Sequence, residues 1–195
     1  MFGWFKKKPE ALPYDDTVWL DEAARVQALA RAAQAGRVLL VSFFEETDRA
    51  VARALDAAGI PHGRAGVSLP ETKAALILAE RVGHLPRKLP EDMAVCVTEH
   101  HPHPEALTAL LTELQLHTAA RPRFHVAIDD PLMRRFGGDR VKELMVRMGM
   151  GPDEPVEHTM VKQALANARA KVGEKVKHPR SARSVEEWLS LNLGS

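Results

Sequence analysis

The chain has one cysteine, Cys96, among 195 residues. A lone thiol cannot form an intrachain disulfide, which excludes a disulfide-stapled scaffold and fits a reducing compartment. Cys96 lies in the apolar run MAVCV and reads as a buried, inert thiol. No apolar run approaches the ~18 residues of a membrane-spanning helix. An excess of charge of either sign is also missing. Lys and Arg number 27 against 26 Asp and Glu, a net charge of +1, which argues against a dedicated nucleic-acid binder. The phosphate-gripping glycine loops GxxxxGK(S/T) and GxGxxG do not occur, nor do GxSxG and HExxH. Nucleotide loops, a nucleophile elbow and a zinc-protease helix are thereby set aside, and no internal repeat is found. The opening MFGWFKKKPE has aromatics and lysines but no apolar core, so it does not read as a secretory signal.

What is present is the grammar of an α/β domain. Arg37–Phe44, RVLLVSFF, is the cleanest β-branched and aromatic run and reads as a central parallel strand covered on both faces. A helix is expected over Glu45–Ala58, its acidic start facing exposed amides. Before the strand, Pro9–Thr17 reads as linker and Trp19–Ala35 as helix, stopped at Gly36. Ile60–Val67 reads as a short edge strand. Ser68 and Glu71, with Pro70 between them, have capping-box spacing, so a helix is expected to about Val82. Met93–Thr98 and Phe124–Ile128 read as buried strands, with a helix from Pro104 to Leu116 between them. Leu132–Phe136, Arg140–Met148 and Glu157–Val176 read as helices. Ser184 with Glu187 opens a last short one. The expected architecture is a three-layer α/β unit with a parallel sheet and a helical C-terminal extension. Its divisions are 1–16 as an aromatic and basic segment with linker, 17–129 as the α/β domain, and 130–195 as the extension.

Three sets of side chains are candidates for function. Glu99, His100, His101 and His103 follow the Met93–Thr98 strand, at the strand end where open α/β sheets place ligands. Imidazole and carboxylate suit zinc, although a solvated turn explains the same residues. The basic face of Lys162, Arg169, Lys171 and Lys175 suits an acidic protein or an anionic surface, or is simply solvated. Phe2, Trp4 and Phe5 beside Lys6, Lys7 and Lys8 suit contact with an anionic membrane, aromatics for buried area and lysines for headgroups. Aromatics folded back on the domain explain them equally.

One segment is more specific. Asp130–Val161, DPLMRRFGGDRVKELMVRMGMGPDEPVEHTMV, resembles SecA, the preprotein translocase motor ATPase. The similar run in that family lies where the second nucleotide-binding domain passes into the scaffold helix. GRVLLVSFFEETDRA, AAGIPH and FHVAIDD resemble the same domain. CVTEHH is similar to a strand bearing Thr-Glu-Arg-His, with Thr98, Glu99 and His101 matching and His100 in place of the arginine. The likeness extends over about Pro13 to Val176. It implies a RecA-like, helicase C-terminal-type sheet.

It does not imply the motor's activity. The family's first domain, with its Walker loops, is missing. The ground of the arginine-rich nucleotide motif reads PEALTALLTELQLHTAARP, with no arginine between Arg87 and Arg121. The resemblance therefore implies a non-catalytic adaptor that uses no cofactor. Its expected partner is a protein, from the secretion machinery or a preprotein, with nucleic acid unexpected. Its expected place is the cytoplasm, at the periphery of the inner membrane. Arg134, Arg135 and Arg140 belong to the similar run and could hold acidic partners or tie the chain internally. Two readings from other classes stand beside it: a metal protein or enzyme built on Glu99, His100, His101 and His103, and a structural homo-oligomer.

Overall fold

The computed structural model of the chain describes residues 13–147, 149–151, 154–155 and 159–194. The amino-terminal Phe2, Trp4, Phe5, Lys6, Lys7 and Lys8 lie outside them. In chain order the elements are β1 (Asp15–Trp19), α1 (Glu22–Ala35), β2 (Val38–Ser42), α2 (Glu45–Ala57), β3 (His62–Arg64), β4 (Ala74–Leu78), a 3-10 helix (Ala79–His84), β5 (Ala94–Val97), α3 (Pro104–Leu114), β6 (Arg123–Ala127), α4 (Pro131–Arg135), α5 (Gly138–Arg147), α6 (Thr159–Lys175) and α7 (Val185–Leu193). The six strands form one sheet in the order β1-β6-β5-β2-β4-β3, and every pairing is parallel.

The side-chain alternation of a strand sorts the core into layers. In β2 all five residues are buried. Leu39 and Val41 join Ala75 and Ile77 of β4, Val95 and Val97 of β5, and Leu107, Leu110, Leu111 and Leu114 of α3. Val38 and Leu40 point the other way, onto Leu29 and Ala33 of α1 and Val51 and Leu55 of α2. Val18 of β1 and Val126 of β6 meet Leu165, Ala168 and Val172 of α6 and Trp188 and Leu189 of α7. The result is the three-layer α/β arrangement that the strand and helix pattern implies.

Two elements differ from the sequence reading. Ala75, Leu76 and Leu78 belong to strand β4, not to a helix running from Ser68 to Val82. Val38↔Ala74 through Ser42↔Leu78 set its register against β2. A five-residue run buried from both sides has no solvent face from which to read a helical period. Asp15–Trp19 is an edge strand in register with Arg123–Ala127, rather than linker and helix start. Helix α1 begins only after Asp21, whose carboxylate accepts from the Ala24 amide at 2.9 Å.

Other stop and start signals act where the pattern puts them. Gly59 takes φ +66 after α2, a conformation costly for a side chain with a Cβ. Ser184 Oγ accepts from the Glu187 amide at 3.1 Å, and Glu187 Oε2 accepts from the Arg183 amide at 2.7 Å. Replacing Ser184 by alanine is expected to cost about 1 kcal/mol of stability. The check is the midpoint shift in urea unfolding, with an unchanged slope.

Candidate functional site

In sheet order, β4 and β3 lie on one side of β2, and β5 and β6 lie on the other. The crevice outside the carboxyl ends of β2 and β5 is therefore the switch point at which open α/β sheets bind ligands. Three groups of residues meet there. Phe43 and Phe44 follow β2, Glu99–His103 follow β5, and the C-terminal segment through α7 closes over both.

Helix α2 starts in this crevice with Phe44 at its N-cap, and no side chain of its own first turn caps it. Such an end leaves amide donors that attract anions. The anion here is Glu99. Its Oε1 accepts from the Phe43 amide at 2.9 Å and from the Phe44 amide at 3.1 Å. Its Oε2 accepts from the Thr47 hydroxyl. The carbonyl of Arg183 accepts from the Glu46 amide at 3.1 Å. Glu99 is 1% exposed. Burial pushes its carboxyl up to about 7, against the opposing pull of Arg25 and the Thr47 hydrogen bond.

Arg25 is the cation behind this carboxyl. It rises from α1, is 3% exposed, and lies 3.3 Å from Asp130 and 3.3 Å from Glu22. Asp130 stands at the N-cap of α4 but turns away from it. Its Oδ2 accepts from the Ala127 amide at 3.2 Å. Burial raises the Asp130 carboxyl, and Arg25 opposes the rise. A charged lattice thus joins α1 and the start of α4 beneath the crevice.

The histidines that follow Glu99 do not converge. His100 Nε2 lies 2.7 Å from Asp16 of β1, and its Nδ1 faces the guanidinium of Arg169 from α6. Burial lowers its pKa despite the Asp16 bond, so the ring is neutral, donating to Asp16 and accepting from Arg169. His101 stacks on Phe44 with centroids 5.3 Å apart and meets Trp188 edge-on at 5.3 Å. Burial takes it down to about 4. Its Nδ1 accepts from the His103 amide at 3.0 Å. His103 Nε2 donates to the Val176 carbonyl at 3.0 Å. Among the described residues, no three His, Cys, Asp or Glu side chains are grouped to hold a metal ion. The four side chains read as a metal set on sequence instead pin four different elements.

The basic residues also separate. Lys162, Lys171 and Lys175 are exposed, and Lys171 Nζ lies 5.7 Å over the Phe136 ring. Arg140 is exposed. Arg134 lies 3.9 Å from Asp129, and Arg135 donates to the Gly194 carbonyl at 2.7 Å. Arg169 does not belong with the exposed lysines. It turns inward and donates to Tyr14 Oη at 3.2 Å as well as to His100. Arg169→Leu is expected to cost about 2–3 kcal/mol, because it leaves the buried His100 nitrogen unpaired. Lys171→Ala should stay within about 0.5 kcal/mol of the parent. Denaturant unfolding of the two variants checks both values.

Comparison with curated proteins adds one family. Protein translocase subunit SecA of Sorangium cellulosum (strain So ce56) is 53% identical over 53 residues, which is 27% of this chain and 5% of that protein. SecA of Solidesulfovibrio magneticus (strain ATCC 700980 / DSM 13731 / RS-1) is 52% identical over 50 residues, 26% of this chain and 6% of the relative. SecA of Treponema pallidum (strain Nichols) is 44% identical over 52 residues, 27% and 6%. The chain carries a SecA-like segment. It matches 5–6% of the length of these relatives. No protein-family model matches the chain. Among solved structures, the C-terminal part of the Fun30 ATPase domain aligns with 77% of this chain and 54% of its own, at 9% identity and a TM-score of 0.38. Among the described residues, no helix is long and apolar enough to cross a membrane.

Proposed function

We propose that this chain is a non-catalytic, SecA-related adaptor that binds a protein partner, linked to preprotein translocation. Its core is a RecA-like domain that starts with β1 at Asp15, not at 17, and runs to 129, with a helical extension over 130–195. The observation that carries the reading is Glu99 on the amides of Phe43 and Phe44. In a nucleotide-binding α/β domain, a helix start at this place takes a phosphate. Here the chain's own carboxylate takes the Phe43 and Phe44 amides, the Arg183 carbonyl takes that of Glu46, and the buried Trp188 lines the same groove as Phe43 and Phe44. An incoming phosphate would meet Glu45 and Glu46 in the same first turn. Phosphoryl transfer needs cations turned on the transferring group, and Arg25 is already held by Asp130.

The retained surface then serves binding. Lys162, Lys171 and Lys175, with Arg134, Arg135 and Arg140, form the proposed contact for acidic protein surfaces. Phe2, Trp4, Phe5 and Lys6–Lys8 form the proposed contact with an anionic membrane at the cytoplasmic face. Titration with a fluorescent ATP analogue, alongside a phosphate-release assay, tests the non-catalytic part. No saturable binding at millimolar nucleotide and no turnover above buffer are expected. A saturable site, or turnover abolished by a substitution in this chain, would refute it.

A further inference from the structure

A groove of about 710 Å³ opens at the carboxyl edge of the sheet, between the 3-10 helix, α3 and the segment leading into α7. Its floor is aromatic: Phe43, Phe44, His101 and Trp188, with the imidazole stacked on Phe44. Small residues such as Ala106 and Ala109 leave its α3 wall low. Its rim is acidic. Glu80, Glu105 and Glu113 line it, and Arg180 is the only lysine or arginine among the described lining residues. His101 is neutral above about pH 4, so the floor does not offset the carboxylates.

The spacing of the charges selects the occupant. Glu105 and Glu113 stand on one helix eight residues apart, about 12 Å at ~1.5 Å per residue. Glu80 approaches from a different element. One compact cation cannot answer three carboxylates spread in this way, but a chain with several cationic side chains can. The aromatic floor adds surface for an apolar side chain, with cation–π contact for Lys or Arg. The cavity has the size of a built ligand site, in the range of about 300–1,000 Å³.

We infer that this groove is the docking site for a short basic, apolar peptide segment of a partner protein, its lysines or arginines on Glu80, Glu105 and Glu113 and an apolar side chain on Phe43 and Trp188. The inference rests on the adaptor reading and names the chemistry of the partner.

The test is fluorescence anisotropy of the full chain with a labelled twelve-residue peptide of three lysines and two leucines. A charge-reversed peptide, with glutamate for lysine, is the control. Saturable micromolar binding is expected, at least tenfold weaker at 0.5 M than at 0.05 M salt. Glu80→Lys/Glu105→Lys should weaken it at least tenfold. Ala109→Arg, an exposed change on the groove wall, should do the same by filling the groove. Circular dichroism of both variants should match the parent. Equal binding of the charge-reversed peptide, or unchanged affinity in both folded variants, overturns the inference. So does an absence of binding up to millimolar peptide. Binding that emerges only after Lys6, Lys7 and Lys8 are changed to glutamate would make the chain's own amino-terminal segment the occupant, and would also overturn it. Nucleotide binding measured on the same sample keeps the two readings apart: nucleotide without peptide refutes the adaptor, and neither ligand refutes only the groove.

Discussion

Arg25→Met is expected to destabilise the chain by about 3–5 kcal/mol, the cost of removing one partner from a buried ion pair. The guanidinium is 3% exposed, and its length is needed to reach from α1 to Asp130 at 3.3 Å. Methionine nearly keeps the volume, so the loss reports charge rather than a cavity. Two carboxyls then lose their nearest cation. Asp130 and Glu99 are both held above their ordinary values by burial, and Arg25 is what opposes the rise. Without it both are expected to hold their protons to still higher pH. A carboxyl that stays protonated in the folded chain but ionises in the unfolded one makes folding less favourable as pH rises. The defect should therefore be larger at pH 8 than at pH 5. Arg25→Met/Asp130→Leu should recover part of the loss, since one of the two buried carboxyls that Arg25 served is then gone. Urea unfolding at the two pH values reads both effects. An Arg25→Met chain as stable as the parent at pH 8 would show that the lattice beneath the crevice contributes nothing.

The second large effect belongs to Glu99 and is read as a pH profile. Its folded-state value of about 7 against an ordinary 4.5 means that the folded chain binds the proton more tightly. The associated stability is fully present below about pH 4.5 and is lost as pH rises through about 7. A shift of this size corresponds to about 3 kcal/mol across the window. Glutamine at position 99 can still accept from the Phe43 and Phe44 amides and cannot ionise. Parent minus Glu99→Gln stability should therefore fall by about that amount between pH 4.5 and 8. The subtraction matters because His101 and His125, lowered to about 4 by burial, act in the opposite direction. An imidazole depressed in the folded chain costs stability as pH falls below its ordinary value. Parallel pH profiles for parent and variant would show that Glu99 is ionised throughout, held by its amide donors. Glu99→Ala is a harsher change. It leaves buried amides and Thr47 without an acceptor, and should cost about 3 kcal/mol or more at any pH.

The role of Glu99 shows what a sequence can and cannot carry. The metal reading came from neighbours: three histidines and a glutamate within five positions. Side chains close in sequence after a strand leave in different directions once the turn is set. Asp16, Arg169 and Val176, which receive His100 and His103, are dozens of residues away. A usable signal was nevertheless present. The run SFFEE opens a helix with Phe44 where Ser, Thr, Asp or Asn would normally accept the first amides. A helix start that cannot cap itself, next to a buried strand followed by Thr98-Glu99, leaves a place for a carboxylate from outside. Arg169 had no comparable signal. Its place among lysines suggested a solvated face, and only the docking of α6 on β1 and β6 turns it inward.

Strands β2, β5 and β6, the three layers and the SecA-like run follow from the sequence alone, because apolar periodicity and a long specific match are properties of the chain itself. Strand β4 and edge strand β1 did not follow from it. A short apolar run suits either period, and β1 takes its register from residues more than a hundred positions later. Only the tertiary structure decided that the Phe43 and Phe44 amides, in the crevice between β2 and β5, are met by the chain's own Glu99. Amide donors at the start of a helix donate to whichever carboxylate the packing delivers, and the packing delivers Glu99.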